Sequence, residues 1–197
     1  MVTSNQVADP FMNAFLTSMT EEAGDAILGL PNGVEAPPFL TRPPRVAVGE
    51  MDVFTLSGLA RQAGMNVVVS PVLMDIRVRS KNTGFSFFRD VSHSLQIQTA
   101  AALYDAITGA RLDVNILTDE VDISKRIADA IGGGQEVNVD ALVEVAQEMG
   151  NELGERMGDA VQESKWMTSV IAIENDSCVV AAGSAAGVAE NDRFSVL

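Results

Sequence analysis

The sequence predicts an α+β fold: a mixed or antiparallel sheet covered on one face by helices, with a small all-β module at the C-terminal end. Three patterns carry that prediction. Residues 91–103 alternate apolar and polar, as a strand with one covered face does. Residues 138–164 repeat apolar positions at helical spacing. After Trp166 the texture changes to short β-rich runs, which separates a module at 165–197 from an α+β domain at 1–164.

The first helix is expected from "DPFMNAFLTSMTEEAGDAIL", with Asp9 as cap and Pro10 in the first helical position. Its apolar stripe is Phe11, Phe15, Met19, Ala26 and Ile27. The proline-dense "LPNGVEAPPFLTRPPR" is an irregular connection. "RVAVGE" reads as a short strand, and "DVFTLSGLARQAG" as a short helix closed by Gly64. "MNVVVSPVLMDIRVRS" is a long strand interrupted at Pro71, which lacks a ladder donor, so the run belongs at an edge or carries a bulge.

In the alternating strand, Val91, His93, Leu95, Ile97, Thr99, Ala101 and Leu103 share one face, with Ser92, Ser94, Gln96 and Gln98 opposite. Its partner is "RLDVNILTDEVDI", reached across a tight reversal at Thr108 and Gly109, where glycine accepts a positive φ. Gly132 to Gly134 form a flexible turn before the longest helix. That helix carries the stripe Leu142, Val145, Met149, Leu153, Met157 and Val161.

Beside the stripe stand Gly150, Gly154 and Gly158, a ridge without side chains. Each glycine costs the helix about 1 kcal/mol relative to alanine, so something must approach the backbone closely. Either the domain's own sheet or a neighbouring subunit fits there. The module beyond is expected to hold strands in "MTSVIAIEN", "SCVVAAG" and "DRFSVL", with the chain stopping inside or just after the last.

Composition bounds the function. A chain of 197 residues with 47% apolar and 20% charged residues is globular and buries about 70% of its unfolded surface. Its 27 acids against 13 bases give a net charge of −14, which repels phosphate backbones and disfavours nucleic acid as a partner. One cysteine, Cys178, excludes an internal disulfide; it sits in an apolar strand and is expected to be a buried, inert thiol. No apolar run is long enough for a transmembrane helix. The N-terminus lacks the basic and apolar regions of a signal peptide, so either the protein is cytoplasmic or a leader has been removed.

The sequence carries no constellation expected of a catalytic, cofactor or metal site. His93, the sole histidine, lies on the apolar strand face and reads as a core or partly buried histidine and not as a catalytic base. "IGGGQ" lacks the Lys-Ser/Thr of a P-loop, and "GSAAG" lacks the Gly-x-Ser-x-Gly order of a hydrolase elbow. Glu120 and Asp122 share a strand face that could hold a hard cation, yet a solvated strand end explains them as well. Such a protein works by shape and surface.

The order of elements, with "ARQAGMNVVVSPVLMDIRVRS" and the strand ending "LYDAITGARL", resembles the bacterial envelope proteins grouped around the curli secretion channel protein CsgG, the flagellar assembly protein FlgT and the N-terminal domain of TolB. Leu103, Asp105, Thr108 and Gly109 match the group's Leu-x-Asp-x-x-Thr-Gly pattern. Gly183, Gly187, Val188, Asp192 and Phe194 match the small β module that ends the flagellar member. The usual opening strand and an N-terminal lipidation cysteine have no counterpart here, so a channel is not expected. The resemblance implies a non-enzymatic component of the cell envelope, periplasmic and outer-membrane associated, serving as a ring or assembly protein of the flagellar basal body. It implies envelope or basal-body partners and a homo-oligomer or ring, with Gly150, Gly154 and Gly158 as a possible interface. An accessory of an outer-membrane secretion system, or a small-ligand-binding or enzymatic α+β domain, are the competing readings.

Overall fold

The computed structural model describes residues 4–24, 38–46, 50–83, 90–135, 137, 140–164, 167–168, 170–175, 177–180, 188 and 190–195. In chain order it forms α1 (Ser4–Glu22), α2 (Pro38–Thr41), α3 (Val53–Gln62), β1 (Val67–Thr83), β2 (Asp90–Asp105), β3 (Arg111–Ile123), α4 (Lys125–Gly132), α5 (Asp140–Glu163), β4 (Val170–Glu174) and β5 (Ser177–Val180). β1, β2 and β3 make an antiparallel sheet in that order, and β4 pairs with β5 in a second sheet. The fold is α+β, as the alternation and the helical spacing predict. Two compact units divide the chain: Met1–Gly24, Ser70–Ala102 and Val114–Asp159 form the first, and Asp25–Val69, Leu103–Asp113 and Ala160–Leu197 the second.

The first unit is built on β2. Leu95, Ile97, Thr99 and Ala101 are all at most 1% exposed, so the predicted apolar face is the core face. β3 presents Asn115 on that same side, where its Oδ1 accepts from Arg156 of α5 at 3.2 Å. Leu142, Ala146, Met149, Leu153 and Met157 of α5 are buried, whereas Val145 is only half-buried and Ala146 takes its place in the stripe.

α1 begins earlier than the sequence suggests. Pro10 lies inside the helix instead of opening it, and Asp9 is therefore not its cap. An interior proline costs about 3 kcal/mol. The extra turn offsets much of that by carrying Val7, which is 1% exposed and extends the stripe Phe11, Phe15, Met19 and Ala23; full burial of one such side chain is worth about 1.5–3 kcal/mol. Ala26 and Ile27 lie outside the described residues.

The glycine ridge meets α1, and neither of the two surfaces expected for it. A Cβ on Gly150 would stand 2.5 Å from the Phe11 carbonyl oxygen, and one on Gly154 would stand 2.5 Å from that of Phe15. On Gly158 it would stand 2.6 Å from Glu22 Cβ and 3.0 Å from the Ala23 nitrogen. These partners advance along α1 as the glycines advance along α5, so the two helices run parallel. Where a side chain is missing, an α-hydrogen faces a carbonyl, the weak hydrogen bond that recurs at close helix contacts.

The second unit has its own core of Leu56, Ala60, Val68 and Ala106, with Phe39, Met51 and Met65 packed against it. Asp52 caps α3, accepting from the Thr55 N–H at 3.0 Å, and Gly64 beyond the helix has φ +80°. The strand expected in "RVAVGE" appears only as an isolated bridge between Arg45 and Met51, with 47–49 outside the described residues. β1 is continuous through Pro71 and lies at a sheet edge, where a missing donor disturbs nothing. Of the three strands expected near the C-terminal end, β4 and β5 form, while residues 192–195 take no strand; 181–187, 189 and 196–197 lie outside the described residues.

The same substitution should have opposite signs at two helical glycines. Gly154→Ala gains helix propensity but drives a methyl into backbone, and overpacking of about 1–3 kcal/mol outweighs a gain of about 1 kcal/mol. Gly58→Ala in α3 meets nothing within 4 Å and should stabilise by about 0.5–1 kcal/mol. Denaturant melts check both; a Gly154→Ala protein at least as stable as wild type refutes the close contact.

The parallel helices also bring acids together. Asp159 lies against Glu22 and raises its pKa above the ordinary glutamate value of 4.5, with Glu155 adding to the effect. Neither helix has a basic residue in its last turn to answer the negative end of its dipole. A raised folded pKa means the fold prefers the protonated form, so stability falls as pH rises through the window above 4.5. Glu22→Gln should therefore melt higher than wild type at neutral pH and lose that advantage below pH 4.5. Melts at both pH values test it, and an advantage independent of pH would contradict the assignment.

Candidate functional site

The residues that sequence reasoning singled out at the reversal do come together. Between Asp105 at the end of β2 and Ala110 before β3, Asp105 N–H donates to the Ala110 carbonyl at 2.9 Å, closing the loop. Asp105 Oδ1 accepts from Ile107 N–H at 2.8 Å and Oδ2 accepts from Thr108 Oγ1 at 2.6 Å. Thr108 Oγ1 in turn accepts from Ala110 N–H at 3.2 Å. Gly109 has φ +73°, the left-handed conformation that favours glycine, and its N–H donates to the Asp105 carbonyl. Partial burial pushes the Asp105 carboxyl up, but the Thr108 hydroxyl and the backbone N–H groups of Ile107 and Thr108 outweigh it and hold the pKa below 3.8.

"DAIT" at 105–108 thus repeats the device of "DVFT" at 52–55, where Thr55 Oγ1 donates to Asp52 Oδ2 at 2.6 Å. The Thr55 hydroxyl is also the main cause that holds Asp52 below its ordinary value. In both places the carboxylate replaces a backbone acceptor where the chain turns. Gly109 packs at ordinary van der Waals distance from Ser57 of α3, 3.6 Å from its Oγ for an added Cβ.

A second polar group, which the sequence does not disclose, crosses all three strands on the face opposite the core. Arg77 Nε of β1 donates to Gln96 Oε1 of β2 at 2.9 Å, and Gln96 Nε2 donates to Glu120 Oε1 of β3 at 3.1 Å. Ser94 Oγ donates to Glu120 Oε2 at 3.3 Å. Arg79 stands 3.9 Å from Glu120 and Arg77 stands 3.7 Å from Asp75. Gln96 is buried within this row although it lies on the polar face. The signal was the run Ser94, Gln96, Gln98, but only the strand register tells which side chains stand beside it.

The remaining candidates separate. His93 is half-buried, with Nδ1 2.8 Å from Ser80 Oγ. Glu120 is engaged by the row just described, and Asp122 is exposed. Cys178 is exposed, contrary to the buried thiol expected, because among the described residues β5 pairs with β4 alone and a two-stranded ribbon cannot cover both of its faces. Gly134 is no flexible turn: it has φ +76° just past α4, where Gln135 N–H donates to the Ala130 carbonyl at 2.9 Å. Gly150, Gly154 and Gly158 are occupied by α1, far in sequence from Thr108 and Gly109. Among the described residues no group of three or more His, Cys, Asp and Glu side chains is placed to hold a metal ion, and no helix is long and apolar enough to cross a membrane.

Compared with protein-family models and with curated proteins, the chain has no significant match.

Gly109→Val should introduce strain of about 1–3 kcal/mol and lower the melting temperature. Gly134→Val should do the same, since its φ is equally positive. Asp105→Ala should cost about 1 kcal/mol at neutral pH by leaving turn donors unmatched. Because the folded pKa is lowered, that contribution is present above the ordinary aspartate value of 3.8 and fades as pH falls through the folded pKa. A Gly109→Val protein that melts with wild type would refute the positive-φ turn.

Proposed function

We infer that the protein is a non-enzymatic structural or assembly component of the bacterial cell envelope, a periplasmic ring or assembly protein of the flagellar basal body. The observation that supports this most is the turn after β2. Asp105, Thr108 and Gly109, by which the chain resembles the CsgG, FlgT and TolB group, are spent on the turn's own hydrogen bonds and backbone conformation. The resemblance therefore rests on architecture that the fold uses. The other polar cluster, on the open sheet face, ties strands to one another through Arg77, Gln96 and Glu120. A net charge of −14 suits protein partners better than phosphate backbones. In this reading the partners are basal-body or other envelope proteins and further copies of the chain.

The test is cellular. The full-length gene product, tagged in its own host, should fractionate with the envelope, co-localise with flagellar bases and crosslink to basal-body proteins. Co-localisation with secretion pores instead would transfer it to the secretion accessories of the same group. Cytoplasmic recovery with no envelope partner would overturn the proposal.

A further inference from the structure

The face of the three-stranded sheet opposite the core has an internal symmetry of charge. The bonded row Arg77–Gln96–Glu120 fixes the register, and the contacts of Ser94 and Arg79 with Glu120 place both on the same face. Counting by two along each strand, the neighbouring rows are Arg79–Ser94–Asp122 and Asp75–Gln98–Thr118. Met74 and Asp75 are both exposed, so β1 carries an extra residue there, and the next row is Val72–Ala100–Ile116. One end of this face is thus basic along β1 and acidic along β3, while the other end is apolar. Ile116 is 54% exposed there, and Arg77, Arg79 and Glu120 are each about half exposed. Val72 at the same end is 47% exposed, and apolar side chains shown together to water mark a surface that associates.

The geometry points to a second copy of this chain packed sheet against sheet on this face, about a two-fold axis parallel to the strands. Such a rotation preserves height along the strands and exchanges the two edges, so β1 of one copy lies over β3 of the other. Arg77 and Arg79 then face Glu120 and Asp122 of the partner copy, and Val72 faces Ile116. The central Gln98 and Ala100 meet their own counterparts, small or neutral groups that tolerate close approach. No like charges oppose each other. A two-fold axis running across the strands would instead lay β1 over β1 and β3 over β3 with height reversed, setting Arg79 over Val72 and Asp122 over Ile116 and stranding charge on apolar surface.

Within one copy the charges are loosely held. Arg79 and Glu120 are 3.9 Å apart, and Arg77 and Asp75 are 3.7 Å apart, half in solvent, so re-pairing across an interface costs little. The copies each carry −14, so an unspecific encounter is repulsive and the complementary face supplies the register of association. Two sheets joined this way would lie about 10 Å apart. The proposal does not depend on where in the cell the protein works.

Charge reversal tests it, with the whole chain followed by sedimentation equilibrium over a concentration series. Wild type should be dimeric. The double variant Arg77→Glu with Arg79→Glu should be monomeric, as should Glu120→Arg with Asp122→Arg. An equimolar mixture of the two should recover a dimer containing one of each, because every reversed contact is then attractive again. Circular dichroism confirms that each variant is folded. Should either fail to fold, Ile116→Lys on the exposed surface decides, and it should weaken association by about tenfold or more. A monomeric wild type, reversed variants that dimerise as wild type does, a mixture that stays monomeric, or an Ile116→Lys protein of unchanged affinity would each overturn the proposal.

Discussion

The contact between the α5 glycines and the α1 backbone is the constraint on which the first unit depends. Helices that keep their side chains between them pack at about 8–10 Å. Removing three side chains in a row lets α5 come nearer, and a single added Cβ at Gly150 or Gly154 would fall 2.5 Å from a carbonyl oxygen. Nothing flexible sits there to move aside. The register between the helices is consequently fixed, and with it the position along α5 of the buried Phe11, Phe15 and Met19. An interior proline and a pair of mutually repelling acids, Glu22 and Asp159, are both tolerated in that arrangement.

The sheet depends on a different device. β2 is flanked on both sides, and its alternation separates a core face from a face whose side chains bond strand to strand. A one-residue slip would put Leu95 and Ile97 on the open side and Gln96 in the core, so the bonded row and the hydrophobic face specify the same pairing. The turn at Asp105–Gly109 adds a third, local determinant of that pairing. Agreement between local and long-range preferences is what gives a chain one structure.

Much of this was legible in the sequence, and the failures have physical causes. The alternation of β2 and the Thr108-Gly109 reversal depend on near neighbours, so they could be read directly. The glycine ridge was visible, but a ridge does not name what fills it; that required knowing that α1 returns beside α5 across more than a hundred residues of chain. α4 went unread although Ser124 caps it and Gly134 closes it, because its eight residues offer barely two turns of periodicity. Pro10 misled because its local preference for a helix start was overruled by the burial of Val7 one turn earlier. Cys178 misled because an apolar strand was assumed to have a covered face. The row through Arg77, Gln96 and Glu120 joins three strands and could not appear in any single window.

The parallel pairing of α1 and α5 has a consequence for the order of events in synthesis. α1 leaves the ribosome well over a hundred residues ahead of its seat, Gly150 to Gly158. At about 5–20 residues per second the delay between them is roughly ten seconds. Throughout that interval Val7, Phe11, Phe15, Met19 and Ala23 lack the α5 ridge against which their helix seats. A nascent chain arrested before Gly158 holds an amphipathic helix with nowhere to dock, and so presents a hydrophobic stripe to whatever holdase or neighbour reaches it first.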